Sequence, residues 1–233
     1  MSLTFTHDRS LRQQRWRRLC QQLGISNSDA IEQEFNRIAM AYREPHRAYH
    51  TAQHINECLD LLDWCTQEFL PIGSPDHLVL QPTLEIALWY HDVVYQPQLS
   101  DNERRSAEQA AAFFLANDVA PELIDQVTSL IMTTCHLNSP NSIAKAPAEL
   151  ADWMVDIDLA ILGASPQRFT QYESQIHQEY DWIPESMYRL KRKAVLAEFL
   201  GRSNIYQSVI FQQRFECQAL RNLSSIVSIN SLS

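Results

Sequence analysis

Three short stretches of the sequence set histidine and aspartate into apolar surroundings, where such residues need partners. In Tyr49-His50-Thr51-Ala52-Gln53-His54 two histidines stand four apart, about one helical turn, so both imidazoles share one face at or near a helix start. That pairing suits a divalent cation, and the same spacing also arises by accident at surface helix ends. In Leu88-Trp89-Tyr90-His91-Asp92-Val93-Val94-Tyr95 a His-Asp dipeptide interrupts an apolar run. An ionised carboxylate there is costly unless it is paired, binds a metal or caps the helix through backbone hydrogen bonds. Asp152-Trp153-Met154-Val155-Asp156-Ile157-Asp158-Leu159 again sets acidic residues among apolar ones. Residues two apart point about 200° away from each other on a helix, so at most one of Asp156 and Asp158 can ligate at a given site. Asp158, followed by Leu159, Ile161 and Leu162, is the better ligand, and Asp156 reads as a cap or as the partner of a basic residue.

The ordered set of His, then His-Asp, then Asp, each on its own helix with apolar flanks, resembles the HD superfamily of metal-dependent phosphohydrolases. The likeness runs from about Tyr42 to Tyr206. Within that superfamily it is most similar to a bacterial group described as predicted metal-dependent HD phosphohydrolases. The matching segments are Arg47-Ala48-Tyr49-His50 through His54, Tyr90-His91-Asp92 through Tyr95, Asn102-Glu103 with Ser106-Ala107, and Asp156-Ile157-Asp158-Leu159-Ala160-Ile161-Leu162-Gly163. The resemblance implies that His54, His91, Asp92 and Asp158 hold a divalent metal. Two neutral imidazoles and two carboxylates suit Mn, Mg, Fe, Co, Ni or Zn and leave positions for water and a phosphate oxygen. Metal-bound water ionises near neutral pH, and the cation neutralises phosphoryl charge. Asp158 could also orient that water.

Tyr49-His50-Thr51-Ala52-Gln53-His54 is also similar to the H-N-x-x-H segment of cyclic-nucleotide phosphodiesterases, whose earlier histidine protonates the leaving oxygen. The resemblance therefore offers His50 as general acid, against a role as a hydrogen-bonding neighbour of the ligands. Thr51 stands where that segment has Asn, and cyclic nucleotides are not implied. Glu103 fits two roles equally: a proton acceptor near metal-bound water, or the closing residue of a capping box with Ser100. His136 could reach the metal or a substrate phosphate, or sit at a helix end favoured by the dipole. Arg43, Arg47 and the cluster Arg189, Lys191, Arg192 and Lys193 are mainly a solvated face. The resemblance favours Arg47 and Arg192 as phosphate contacts.

These residues need a scaffold, and composition says which. Four glycines among 233 residues leave few places for tight hairpins or phosphate-cradling loops, against roughly 7% glycine in an average protein. Apolar residues recur at three- and four-residue spacing over about 11–23, 29–42, 51–69, 83–92, 102–117, 121–135, 147–162, 166–182, 185–200 and 205–222. The expected fold is an all-α bundle of roughly ten helices, of HD type by the resemblance. Ser165 before Pro166 reads as an N-cap with proline in the first turn, and Pro184 reads similarly. Gly163 and Gly201 stand where left-handed caps end helices. Residues 71–82 and 138–147, rich in Pro, Ser, Asn and Asp, read as loops too short to link domains. One domain, 1–233, is expected, with its core at about 42–206 and helical extensions at both ends. The segment Ser224–Ser233 alternates polar with Ile and Val and suits a short strand, an interface arm or a frayed tail.

A net charge of -9 disfavours a nucleic-acid polymer or an anionic membrane as partner. Five cysteines with no C-x-x-C pair suggest neither a disulfide framework nor a zinc ribbon, and a reducing cytoplasm fits them. Met1–Trp16 has no apolar leader core, and no apolar run approaches membrane-spanning length. The expected function is hydrolysis of a small phosphorylated metabolite or nucleotide by metal-activated water, and a homo-oligomer is compatible with it. Two alternatives differ in kind: a regulatory protein that keeps metal or ligand but has no turnover, and a di-iron HD oxygenase. The oxygenase needs further histidines at a second metal, for which only His136 and His50 are at hand.

Overall fold

The computed structural model describes residues 10–69, 75–135 and 146–229. Among these residues the chain is helical, without strands, as its periodicity requires. The helices are α1 (Gln13–Gln22), α2 (Ser28–Ala41), α3 (Ala52–Phe69), α4 (Pro75–Tyr90), α5 (Asn102–Leu115), α6 (Pro121–Thr133), α7 (Ala148–Leu159), α8 (Pro166–Glu179) and α9 (Glu185–Leu200). A C-terminal helix follows as α10 (Val209–Phe211), a π-turn (Gln212–Glu216) and α11 (Cys217–Ile229). Contacts divide the chain into two compact units, Met1–Met154 and Val155–Ser233. The division falls inside α7, a continuous helix, so no linker marks it in the sequence.

In the first unit, α4 is the axis of the core. Leu84, Ile86, Ala87, Leu88, Trp89 and Tyr90 are all fully buried, and a helix that is apolar all round must be surrounded. It contacts α1, α3, α5 and α6. Trp16 of α1 packs edge-on to Trp89 at 5.4 Å and donates its indole N–H to the Ile31 carbonyl at 2.9 Å. This burial brings the end of α4, and hence His91-Asp92, to the end of the core. Helix α4 starts at Pro75 and runs through Pro82, whereas the proline-rich stretch 71–82 suggested a loop. Proline removes one ladder hydrogen bond and crowds the preceding turn. Packing around the rest of α4 offsets that cost.

In the second unit, Ser165 caps α8, accepting from the Arg168 N–H at 3.4 Å with Pro166 in the first turn, as its sequence predicts. Pro184 is the N-cap of α9 rather than its first helical residue. The expected left-handed caps at Gly163 and Gly201 are absent: among the described residues the glycine with positive φ is Gly24, and Gly201 has φ -78. Gly163 ends a short 3-10 helix (Ala160–Gly163), and a Cβ there would sit 2.7 Å from both Cβ and the carbonyl oxygen of Phe215. Close approach of the C-terminal helix, not backbone handedness, is what requires glycine at 163. Asn222 completes the joint, donating to the Leu162 and Ala164 carbonyls at 2.8 and 2.9 Å.

The C-terminal helix begins at Val209, four residues later than the pattern suggested, and continues to Ile229. Of the stretch 224–233, expected as strand, arm or tail, residues 224–229 continue the helix, Ile226 and Val227 extending the stripe begun by Leu223, and 230–233 lie outside the described residues. All five cysteines are free thiols, and no helix among the described residues is long and apolar enough to cross a membrane.

Candidate metal centre

Two chain segments of the first unit bring the histidines together. The turn before α3 is closed by Thr51, whose N–H donates to the Tyr49 carbonyl at 2.7 Å and whose hydroxyl accepts from the Gln53 N–H at 3.3 Å. His50 therefore precedes the helix, and His54 lies in its first turn, with the rings 6.0 Å apart. His54 is buried beneath Tyr49, whose ring centroid is 4.7 Å away. At the end of α4 the His91 N–H still reaches the Ala87 carbonyl at 2.9 Å, and Asp92 lies in the turn that follows.

The proton of His91 can be placed. Its Nδ1 lies 3.0 Å from the Leu88 carbonyl, which only accepts, so Nδ1 carries hydrogen and Nε2 presents a lone pair. That lone pair faces Nε2 of His54 at 3.2 Å and Oδ2 of Asp92 at 3.0 Å, while His54 Nε2 and Asp92 Oδ2 are 3.5 Å apart. Electron-rich atoms this close repel unless a cation or a proton lies among them. With bonds of about 2.1 Å, neighbouring donors stand about 3.0 Å apart on an octahedron and about 3.4 Å on a tetrahedron. The observed separations of 3.0, 3.2 and 3.5 Å bracket those edges. The donor set fits a divalent cation. Asp158, the fourth expected ligand, stands near the end of α7, beyond the division after Met154.

Burial alone would push the Asp92 carboxyl up; when the imidazoles carry protons in place of a cation, the charge of His91 and His50 and hydrogen bonds from His54 and His91 outweigh it and hold the carboxyl well below the usual range. Its backbone is held as firmly. The Arg47 side chain is wholly buried, and its guanidinium donates to the Asp92 carbonyl at 2.7 Å, the Val93 carbonyl at 3.0 Å and the His50 carbonyl at 3.1 Å. It also pairs with Glu44 at 2.9 Å and lies between the rings of Tyr42 and Tyr95, at 5.2 and 5.5 Å. One cation thus ties the turn carrying His50 to the turn carrying Asp92. The phosphate contact expected of Arg47 meets a guanidinium already engaged by backbone.

The other expected residues are placed as follows. His50 stacks on Tyr95 at 4.0 Å, with Tyr49 edge-on at 5.0 Å, and is close enough to bias Asp92 electrostatically. Glu103 is half-buried in the first turn of α5, but the capping box with Ser100 does not form, because Asp101 is the N-cap. Its neighbours have a visible task. Asn102 accepts from the Gln96 N–H and donates to the Gln96 carbonyl, both at 3.0 Å, and buried Ser106 accepts from the Val94 N–H at 3.1 Å. Together they staple the segment after His91-Asp92 onto α5. Arg192 in the second unit is bound by Glu173 at 2.5 and 3.2 Å, over the ring of Tyr172. His136 lies outside the described residues.

Asp156 is fully buried, and its carboxylate accepts from the N–H groups of Gln207 and Ser208, each at 2.7 Å, and from the Ser208 hydroxyl at 2.5 Å. Ser208 is the N-cap of the C-terminal helix, so Asp156 is the capping anion that the sequence suggested. The anchoring roles of Arg47, Asn102 and Ser106 are absent from the sequence reading. The available signal was their nearness to a proposed site residue: Arg47 stands three residues before His50, Asn102 beside Glu103 and Ser106 three residues after it.

The chain matches no protein-family model, no curated protein and no solved structure, so the site is read from its own geometry.

Proposed function

We propose that the chain is a metal-dependent phosphohydrolase of HD type that acts on a small phosphorylated metabolite or nucleotide. One observation carries this reading: His54 Nε2, His91 Nε2 and Asp92 Oδ2 converge with the spacing of ligands around one cation. A bound divalent ion would supply an ionised water and charge neutralisation at the phosphoryl group. His54, His91, Asp92 and Asp158 hold it, and the Leu88 carbonyl fixes the His91 tautomer so that its lone pair stays available. Asp158 also accepts a hydrogen bond from the attacking water and orients it.

His50 delivers a proton to the leaving oxygen. Stacking on Tyr95 and the edge of Tyr49 holds its ring. Glu103, on the helix that anchors the same segment, takes the proton from the water. Arg47 positions both turns. A phosphate contact from Arg192 would require it to leave Glu173.

The test is phosphate release from a broad panel of phosphorylated metabolites by chain loaded with Mn, Mg, Co or Ni. Metal-dependent release, lost in Asp92→Ala, is expected. No turnover by metal-loaded protein across the panel would favour a binding protein, and two bound irons with oxygen uptake would favour an oxygenase.

A further inference from the structure

The first unit contains a second feature with chemistry of its own, a cleft of about 470 Å³ lined by residues of α2, of the segment 93–96 and of α5. Three charged side chains face it: Arg37, Glu44 and Arg105. Arg37 is neutralised by both oxygens of Glu34, at 2.5 and 2.8 Å, and Glu44 by Arg47 at 2.9 Å. Arg105 is half-buried and makes no side-chain hydrogen bond or ion pair among the described residues. One uncompensated guanidinium therefore remains, beside an apolar wall of Val94, Tyr95 and Met40, the last 66% exposed.

We propose that this cleft binds a small monocarboxylate with an apolar or aromatic body. A single surplus positive charge is balanced by a monoanion, whereas a phosphate dianion would leave surplus negative charge beside Glu44. The planar guanidinium presents two parallel N–H groups that match a carboxylate. The thioether of Met40 is an adaptable surface for the body, and the volume suits a small molecule. Tyr95 is shared, since its ring lines the cleft and stacks on His50 at 4.0 Å, so an occupant touches a support of the metal centre. The inference stands independently of the hydrolase reading, because it is tested by binding.

The experiment is an NMR titration of the full chain with 3-phenylpropionate, following the backbone N–H signals of Val94, Tyr95 and Gln96, which every variant retains. Saturable binding with Kd on the order of 1 mM is expected for a ligand of this size. Arg105→Gln should weaken it at least about tenfold, Arg105→Lys by less, and the neutral amide of the same acid should not compete. Absence of saturation, unchanged affinity in Arg105→Gln, or tighter binding of phenyl phosphate than of the carboxylate would each overturn the proposal. If Arg105→Gln lost the fold, the comparison of acid, amide and phosphate on the unaltered chain would decide it alone.

Discussion

Arg47→Ala probes the coupling between fold and site most directly. The substitution removes donors from three carbonyl oxygens, those of Asp92, Val93 and His50, which Arg47 now reaches at 2.7, 3.0 and 3.1 Å. A buried acceptor left without a partner costs about 1–3 kcal/mol. Three would cost about 3–9, and water entering beside the partly exposed Asp92 brings the expectation to about 4 kcal/mol. The Glu44 pair adds little, since Glu44 is 38% exposed. Glu44→Gln therefore serves as the control, expected to cost under about 1 kcal/mol. Arg47→Lys keeps the charge, but one ammonium cannot reach all three carbonyls, so about 2 kcal/mol is expected. For a chain of this length 4 kcal/mol lowers Tm by about 10 °C, readable by circular dichroism. Manganese titration of the variants at a temperature where they remain folded should show affinity about tenfold weaker, because the Asp92 backbone is no longer fixed. An Arg47→Ala chain within about 1 kcal/mol of the parent, with unchanged manganese affinity, would refute the argument that this cation holds the two turns together.

The further expectations test separate parts of the structure. His91→Ala or Asp92→Ala should abolish stoichiometric metal binding in elemental analysis, and full retention in either would remove the metal centre. His50→Gln should keep metal binding while turnover falls by about 100-fold, and turnover equal to the parent's would end its role as acid. Asp156→Ala removes the acceptor of two N–H groups and a hydroxyl, and should cost about 3 kcal/mol in urea unfolding. Asp158→Ala should instead spare stability and weaken metal binding, so the reverse pattern would exchange the two assignments. Gly163→Ala places a Cβ against the Phe215 backbone, which cannot rotate away, and should destabilise by about 2–3 kcal/mol; a neutral effect would show that the helix joint is loose.

Much of the fold was legible because it rests on local periodicity. Glu185–Leu200 is helical over the range its apolar spacing indicates, and Ser165-Pro166 starts α8 because a hydroxyl cap and a preset φ act within one turn. The candidate ligands His91 and Asp92 were legible for a related reason: two polar residues in an apolar run demand an explanation wherever the run is buried. Features that depend on distant partners were read less well. Pro82 looks like a break until α4 is seen enclosed by its neighbours, and Ser100 with Glu103 has capping-box spacing although Asp101 takes the cap.

The sequence by itself determined the helical class, most helix positions and the residues able to bind a cation, since spacing and side-chain chemistry are local properties. Tertiary structure alone decided that His54 and His91, 37 residues apart, face each other at 3.2 Å, and that Arg47 is a strut rather than a free cation. It also decided that Gly163 yields to Phe215 instead of turning the chain. Each of these is fixed by segments far apart in sequence, and their meeting distance is set by how the intervening core packs.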